Sequence, residues 1–340
     1  MSGALDIEDP GALVEYLRAT GRVAPDETPA VRILAGGVSN KTVLVERAGG
    51  EAWVLKQALP KLRVKVEWFS DPARIGREAL GLKWLAVLAP GGSITPLEFE
   101  DPGRFLLAMA AVPRPHENWK AMLLAGKLFP RHVRQFGTLL GTIHRRAWER
   151  RGELEPLFAD RSFFESLRVE PYYLYAAGQV PAAAGFLNEL VAETRATRQT
   201  LVHGDYSPKN VLVPRGGRIV LLDHEVIHWG DPAFDAGFAL THLLSKANHL
   251  VKLRAAFLKA AVGFWRAYTA ALGGTPWAAE LERRTVGHAL GCLLARVAGR
   301  SPLEYLGGVE CGRQSDAAVR LMRNGVETVA ELVGYFGESL

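Results

Sequence analysis

Cysteine is almost missing from this chain: Cys292 and Cys311 are its only two in 340 residues. Neither sits in a CxxC spacing, so a disulfide framework and a thiolate metal site are both excluded, and the pair reads as two reduced thiols of a cytoplasmic protein. Long apolar runs are missing too. No stretch approaches the ~18 residues that a membrane span needs. The opening segment MSGALDIEDPG is acidic and has no basic-then-apolar order, so no secretion signal is expected. Internal repeats and low-complexity tracts are absent. The excess of positive charge is small, +5. It is compatible with a small anionic partner and gives little support to nucleic-acid binding. The densest basic run, HRRAWERR from His144 to Arg151, contains Glu149 and reads as the solvated end of a helix.

What remains is a globular composition, 48% hydrophobic and 23% charged. The length allows two lobes with separate cores. Asp9, Pro10 and Gly21 frame a short first helix. From Val31 the apolar period becomes two. VRILAGGVSNKTVLVER and AGGEAWVLKQ read as strands turning at Gly36-Gly37 and Gly49-Gly50. Ser70 to Pro90 reads as a helix, and SITPLEFEDPGRFLLAMAAV as two more strands around a Glu-Asp-Pro-Gly turn. VPRPHEN reads as a linker. Beyond it the pattern is mainly helical, with one long amphipathic helix from Pro130 and further helices near 160–176, 182–198, 232–247, 250–272, 276–298 and 313–336. A strand-rich interruption spans 200–229. The expected fold is α+β and two-lobed: a small antiparallel-sheet lobe over residues 1–112 and a larger, mainly helical lobe over 113–340.

The interruption carries the chemistry. HGDYSPKNVLV (His203–Val213) places Asp205 five residues before Asn210, and LLDHE (Leu221–Glu225) adds Asp223 after a second apolar run. This is the layout of a phosphoryl-transfer site. Such a site must align an acceptor hydroxyl, hold a metal and neutralise charge. Asp205 is the expected catalytic base. Asn210 and Asp223 offer the hard oxygens that Mg²⁺ prefers. His203 is expected to shape the loop.

A phosphate cover and a lysine should then precede the loop. Gly36 and Gly37 would let backbone approach phosphates, with Ser39 or Asn40 donating to them. Lys56, on the buried face of a strand, would reach the α- and β-phosphates of ATP. Glu78 is its expected partner and Glu67 the weaker candidate. Backbone groups from Met109 to Val112 would read adenine. Asp231 and Asp235, in DPAFDAG, are expected as structural supports. Trp229 is expected to pack, and Asn118 to cap a helix.

Together, HGDYSPKN and DHEVIHWGDPAFD (D-x-E-x(5)-D-P-x-x-D) resemble the signature of the aminoglycoside phosphotransferase and choline kinase superfamily, over roughly residues 30–300. The resemblance implies a protein-kinase-like fold, ATP and Mg²⁺ as cofactors, and a small polar acceptor: a sugar such as methylthioribose, an amino alcohol or an aminoglycoside. KQALPKLRVKVEWFSDPARIGRE and GCLLARVAGR are similar to methylthioribose kinase. That likeness implies Glu225 as a further metal ligand and leans towards a homodimer. It also implies contact between the acceptor and Arg296, although the neighbouring arginine of that family is Ala295 here. The catalytic loop departs from methylthioribose kinase and looks more like the aminoglycoside kinases. Arg300, one helical turn beyond Arg296, could face the same pocket. Two other readings stay open: a catalytically silent nucleotide-binding protein on the same scaffold, and a metal-dependent phosphohydrolase using His203, Asp205, Asp223 and His224.

Overall fold

The computed structural model describes residues 5–34, 38–63 and 67–340. The first lobe is an antiparallel sheet of five strands in the order β1-β2-β3-β5-β4. These are β1 (Ala30–Ile33), β2 (Asn40–Glu46), β3 (Ala52–Ala58), β4 (Leu97–Asp101) and β5 (Leu106–Ala110). Helix α1 (Pro10–Ala19), capped by Asp9, packs Leu13 and Leu17 with Val43, Val45, Leu55 and Ala108 on one face of the sheet. Helix α2 (Arg74–Leu88) covers the other face, where Ile75, Ala79 and Leu82 meet Leu107 and Met109. Alternation along β3 is what separates the two faces: Trp53 and Leu55 point one way, while Val54 and Lys56 point the other.

The segment after β5 is more structured than a linker. His116–Asn118 forms β6, which pairs with β8 (Val211–Pro214) beyond the catalytic loop. Asn118 then caps α3 (Trp119–Leu124), as its position suggested. Helix α4 (Pro130–Glu149) is central to the second lobe. After α5 (Arg151–Phe158), a continuous rod runs through α6 (Ser162–Phe164), a π-helical stretch (Glu165–Leu174) and α7 (Tyr175–Gln179), and α8 (Ala184–Ala196) follows. Short strands β7 (Thr200–Val202), β8, β9 (Val220–Leu221) and β10 (His228–Gly230) frame the loop of interest. Helices α9 (Pro232–His249), α10 (Arg254–Leu272) and α11 (Ala278–Ala298) complete the core.

The C-terminal segment differs from the single helix expected over 313–336. It contains α12 (Gly308–Arg323) and α13 (Val329–Glu338), separated where Gly325 takes φ +65°. Helices α4 and α10 touch backbone to backbone: a Cβ on Gly141 would lie 2.3 Å from Tyr268 O. The basic run at the end of α4 is only partly solvated, because His144 is fully buried between Tyr268 and Asp235. No helix among the described residues is long and apolar enough to cross a membrane. The architecture is α+β and two-lobed, as the pattern of elements implied.

Candidate active site

A cavity of about 1260 Å³ lies between the sheet and the helical lobe, and it collects most of the residues that the sequence singled out. From the sheet come Ser39, Asn40, Lys56, Met109 and Val112. From the other lobe come Asp205, Asn210, Asp223, Glu225 and Arg296. Gly36 and Gly37 lie outside the described residues.

Lys56 sits at the centre. Its Nζ lies 2.6 Å from Glu78 Oε1 and 2.9 Å from Asp223 Oδ1. Burial opposes its charge, but Asp223 and Glu78 outweigh that and raise its pKa. Glu78 is fully buried, not a surface position of α2, and burial pushes its carboxyl up to about 7. Glu67 is exposed and pairs with Lys61. Asp223 holds a left-handed backbone, φ +69°, which costs a non-glycine residue on the order of 1–3 kcal/mol. The turn is what aims its carboxylate at Lys56.

The catalytic loop is braced from behind. Asp235, in the first turn of α9, accepts the backbone N–H groups of His203 (2.6 Å) and Gly204 (2.8 Å). Asp231 caps the same helix and pairs with Arg284 at 3.1 Å. Both are supports, as expected. Gly204 has φ +77°, and a Cβ there would lie 2.9 Å from Val226 O, so the turn needs glycine. His203 Nδ1 accepts Asp205 N–H at 3.1 Å. Burial lowers its pKa and keeps the ring neutral, which suits a loop-shaping role.

Asp205 is nearly buried, and its two oxygens differ. Oδ2 accepts Asn210 Nδ2 (2.8 Å), Lys209 Nζ (3.0 Å) and an Arg168 guanidinium nitrogen (3.1 Å). Oδ1 is buried and has no partner. Burial works against the charge, yet Arg168 and Lys209 hold the carboxyl below its usual range, so it is ionised at neutral pH. Asn210 uses its amide nitrogen on Asp205 O (2.9 Å) as well, leaving its carbonyl oxygen as the free end.

Three residues of this network escaped the sequence: Lys209, Arg168 and Arg74. Arg168, on the π-helical stretch, also donates to Gly204 O at 2.7 Å. Arg74, the first residue of α2, is fully buried and pairs with Glu225 Oε2 at 3.1 Å. It also donates to the carbonyls of Ser39 and Leu59. Signals existed for the two arginines. A basic side chain in the first turn of a helix opposes the helix dipole, so Arg74 needed a reason to be there. An arginine within the apolar run around Leu167 and Val169 needed a buried anion.

The remaining candidates sort clearly. The Asn40 amide donates to Glu225 Oε2 at 3.2 Å and to Ser39 Oγ. At the strand end, Ala110 N–H and Ala111 N–H donate to Pro96 O and Ala52 O, whereas Val112 N–H has no backbone partner among the described residues. Arg296 lines the cavity; Arg300 lies beyond the end of α11, 3.7 Å from Glu170 and over Tyr175. Trp229 packs in the core. His203 and His224 do not line the cavity. Cys292 and Cys311 are free thiols.

The donor set suits a hard divalent cation. Asn210, Asp223 and Glu225 all line the cavity, and each keeps an oxygen that Lys56, Arg74 or Asp205 does not occupy. No group of three or more His, Cys, Asp or Glu side chains among the described residues could hold a metal, so the two acids would bind Mg²⁺ together with other oxygens, such as the Asn210 amide, water or phosphate.

The fold recurs in solved structures of low identity. The ethanolamine kinase of Plasmodium vivax is 12% identical, with a TM-score of 0.56 over 96% of this chain and 97% of that one. Amicoumacin kinase hAmiN, solved with AMP-PNP, Ca²⁺ and Ami, is 14% identical, with a TM-score of 0.53 over 87% of this chain and 89% of that one. The GDP complex of a mutant aminoglycoside 2′-phosphotransferase-IIIa is 14% identical, with a TM-score of 0.51 over 93% of this chain and 97% of that one. No curated protein matches the sequence. The model of the phosphotransferase enzyme family, APH, matches residues 30–281, which include the sheet, Lys56, the catalytic loop and both metal-type acids. By that match the chain belongs to the phosphotransferase enzyme family and is a small-molecule kinase.

Proposed function

We propose that this protein transfers the γ-phosphate of ATP to a hydroxyl of a small polar molecule, with Asp205 as the base. The observation that carries the reading is the asymmetry of that carboxylate: one oxygen is saturated, and the other is buried without a partner on a residue that lines the cavity. An acceptor hydroxyl donating to Oδ1 would be aligned by it. As the acceptor oxygen bonds to γ-phosphorus and the bond to the ADP oxygen breaks, the hydroxyl proton passes to Oδ1 and later to solvent. Arg168 and Lys209 stabilise the carboxylate until the proton is transferred late in the step.

Lys56 would hold the α- and β-phosphates, with Glu78 fixing its amine in place. Ser39 and the turn containing Gly36 and Gly37 would lie over the phosphates. Val112 N–H would face the adenine edge, beside Met109. Asn210, Asp223 and Glu225 would hold Mg²⁺. Bound there, the ion would neutralise phosphate charge and leave the aligned hydroxyl to react. On this reading the first lobe runs to Val112 and the second from Pro113. A phosphohydrolase built on His203 and His224 loses its support, since neither ring reaches the cavity. A silent scaffold would be expected to lack one of Lys56, Asp205 or Asp223, and all three are present.

The test is ADP release with Mg-ATP over a panel of hydroxyl acceptors. Asp205→Ala should abolish turnover while changing nucleotide affinity less than about threefold. Full activity in that variant would remove Asp205 from the mechanism.

A further inference from the structure

The far side of the cavity is built from cations. Lys120, Arg168, Lys209 and Arg296 line it, and the carboxylates they meet there are Asp205 and Glu304. Asp205 is shared by Arg168 and Lys209. Glu304 pairs with Lys120. Arg296 is left with neutral partners: Ser301 Oγ at 2.9 Å and Tyr172 OH at 3.2 Å. No carboxylate of the described residues pairs with it, although it is only 8% exposed, and its Nε is buried without a partner. A buried guanidinium without an anion is a costly arrangement unless a ligand completes it.

The surroundings deepen the imbalance. Lys246 lies behind this wall, fully buried, with one hydrogen bond to His242 O at 3.2 Å and its Nζ 5.3 Å from the centre of the Tyr305 ring. His242 is held neutral by burial and by the positive field of Lys246, Arg296, Lys209 and Lys120. The aromatic surface is already occupied. Arg168 and Arg296 each stand over Tyr172, at 5.6 and 5.7 Å from the ring centre. A substrate ammonium seated beside Arg296 and Ser301 would therefore meet these cations, and the carboxylate of Glu304 there is already paired with Lys120.

We propose that the phosphoryl acceptor is itself an anion: a hydroxylated small molecule whose carboxylate or phosphate ester seats on Arg296 and Ser301, with its hydroxyl towards Asp205. This rests on the kinase reading above and narrows its acceptor class. Cationic acceptors, amino alcohols and aminoglycosides among them, are disfavoured by the same charges. A guanidinium fork suits either oxyanion, and a charge-assisted pair of this kind is worth about 1.5–3 kcal/mol, or roughly ten- to a hundredfold in affinity.

The experiment uses the full chain loaded with Mg²⁺ and AMP-PNP, and four matched polyols: gluconate, sorbitol 6-phosphate, sorbitol and glucamine. Calorimetry reads the dissociation constant of each. Gluconate or sorbitol 6-phosphate should bind at least tenfold tighter than sorbitol, with glucamine weakest; which of the two anions leads separates carboxylate from phosphate. Arg296→Gln should erase that preference, and Arg296→Lys should restore part of it, both with unchanged AMP-PNP affinity. Equal or tighter binding of sorbitol or glucamine would overturn the proposal. So would a preference that survives Arg296→Gln, or no binding of any polyol to protein that still takes Mg-AMP-PNP. Failure to bind Mg-AMP-PNP at all would instead strike the kinase reading.

Discussion

Asn210 donates twice from one amide nitrogen to Asp205, 2.9 Å to its backbone carbonyl and 2.8 Å to its carboxylate. A single side chain thus fixes the proposed base and leaves its own carbonyl oxygen free for the proposed cation. Asn210→Ala should lower kcat about 10- to 100-fold and raise the Mg²⁺ concentration needed for half-maximal rate. A variant with lower kcat and an unaltered Mg²⁺ curve would confine Asn210 to positioning Asp205.

Lys56 and Glu78 act as a pair at 2.6 Å, with Glu78 fully buried. Lys56→Ala should weaken productive ATP binding, and Glu78→Gln should do the same by letting the amine wander. The two losses should be non-additive, with a coupling of about 0.5–3 kcal/mol in a double-mutant cycle on kcat/KM for ATP. Additive losses would mean that Glu78 does not act through Lys56.

Arg74 joins α2 to the Asp223–Glu225 loop through Glu225 and to the sheet through the carbonyls of Ser39 and Leu59. Arg74→Met should destabilise the protein by about 3–5 kcal/mol, because it strands a largely buried carboxylate. Urea denaturation checks this. A change below about 1 kcal/mol would show Glu225 to be adequately held by Asn40 alone.

Lys246 gives a pH signature. Burial, with Lys120 and Arg296 nearby and only Glu304 opposing, lowers its pKa from 10.5 to about 7. Between those values the unfolded chain binds the additional proton, so this residue makes stability rise with pH. Its penalty is full below pH 7 and vanishes towards 10.5. Lys246→Met should therefore melt above the wild type at pH 6.5, with the gap closing by pH 9.5 to 10. A gap independent of pH would contradict a depressed pKa.

Much of the site was legible because its spacing is local. Asp205, Asn210, Asp223 and Glu225 lie within 21 positions of sequence, on loops whose flanking strands show in the apolar pattern. Lys56 could be read from strand alternation, and Glu78 from the helix that follows. Arg74 and Arg168 could not be placed so directly, since each finds its carboxylate through packing across 151 and 37 positions of chain. Arg296 was assigned to the acceptor by resemblance, and Arg300 was only a possible neighbour at one-turn spacing; the end of α11 at Ala298 is what sends Arg300 elsewhere. The single helix expected over 313–336 missed the break at Gly325, whose positive φ a periodicity argument does not sense.

The central claim is that the bare oxygen of Asp205 takes the proton of a substrate hydroxyl during transfer from ATP. Phosphorus NMR of a reaction with Mg-ATP and the acceptor panel tests it most directly, run with the wild type and with Asp205→Asn, which keeps the shape and removes the base. The account predicts a new phosphate monoester formed in step with ADP by the wild type, and a loss of at least about 10²-fold in the variant, as expected for a general base. Equal rates in the two proteins, or ADP and inorganic phosphate with no ester from any acceptor, would contradict it.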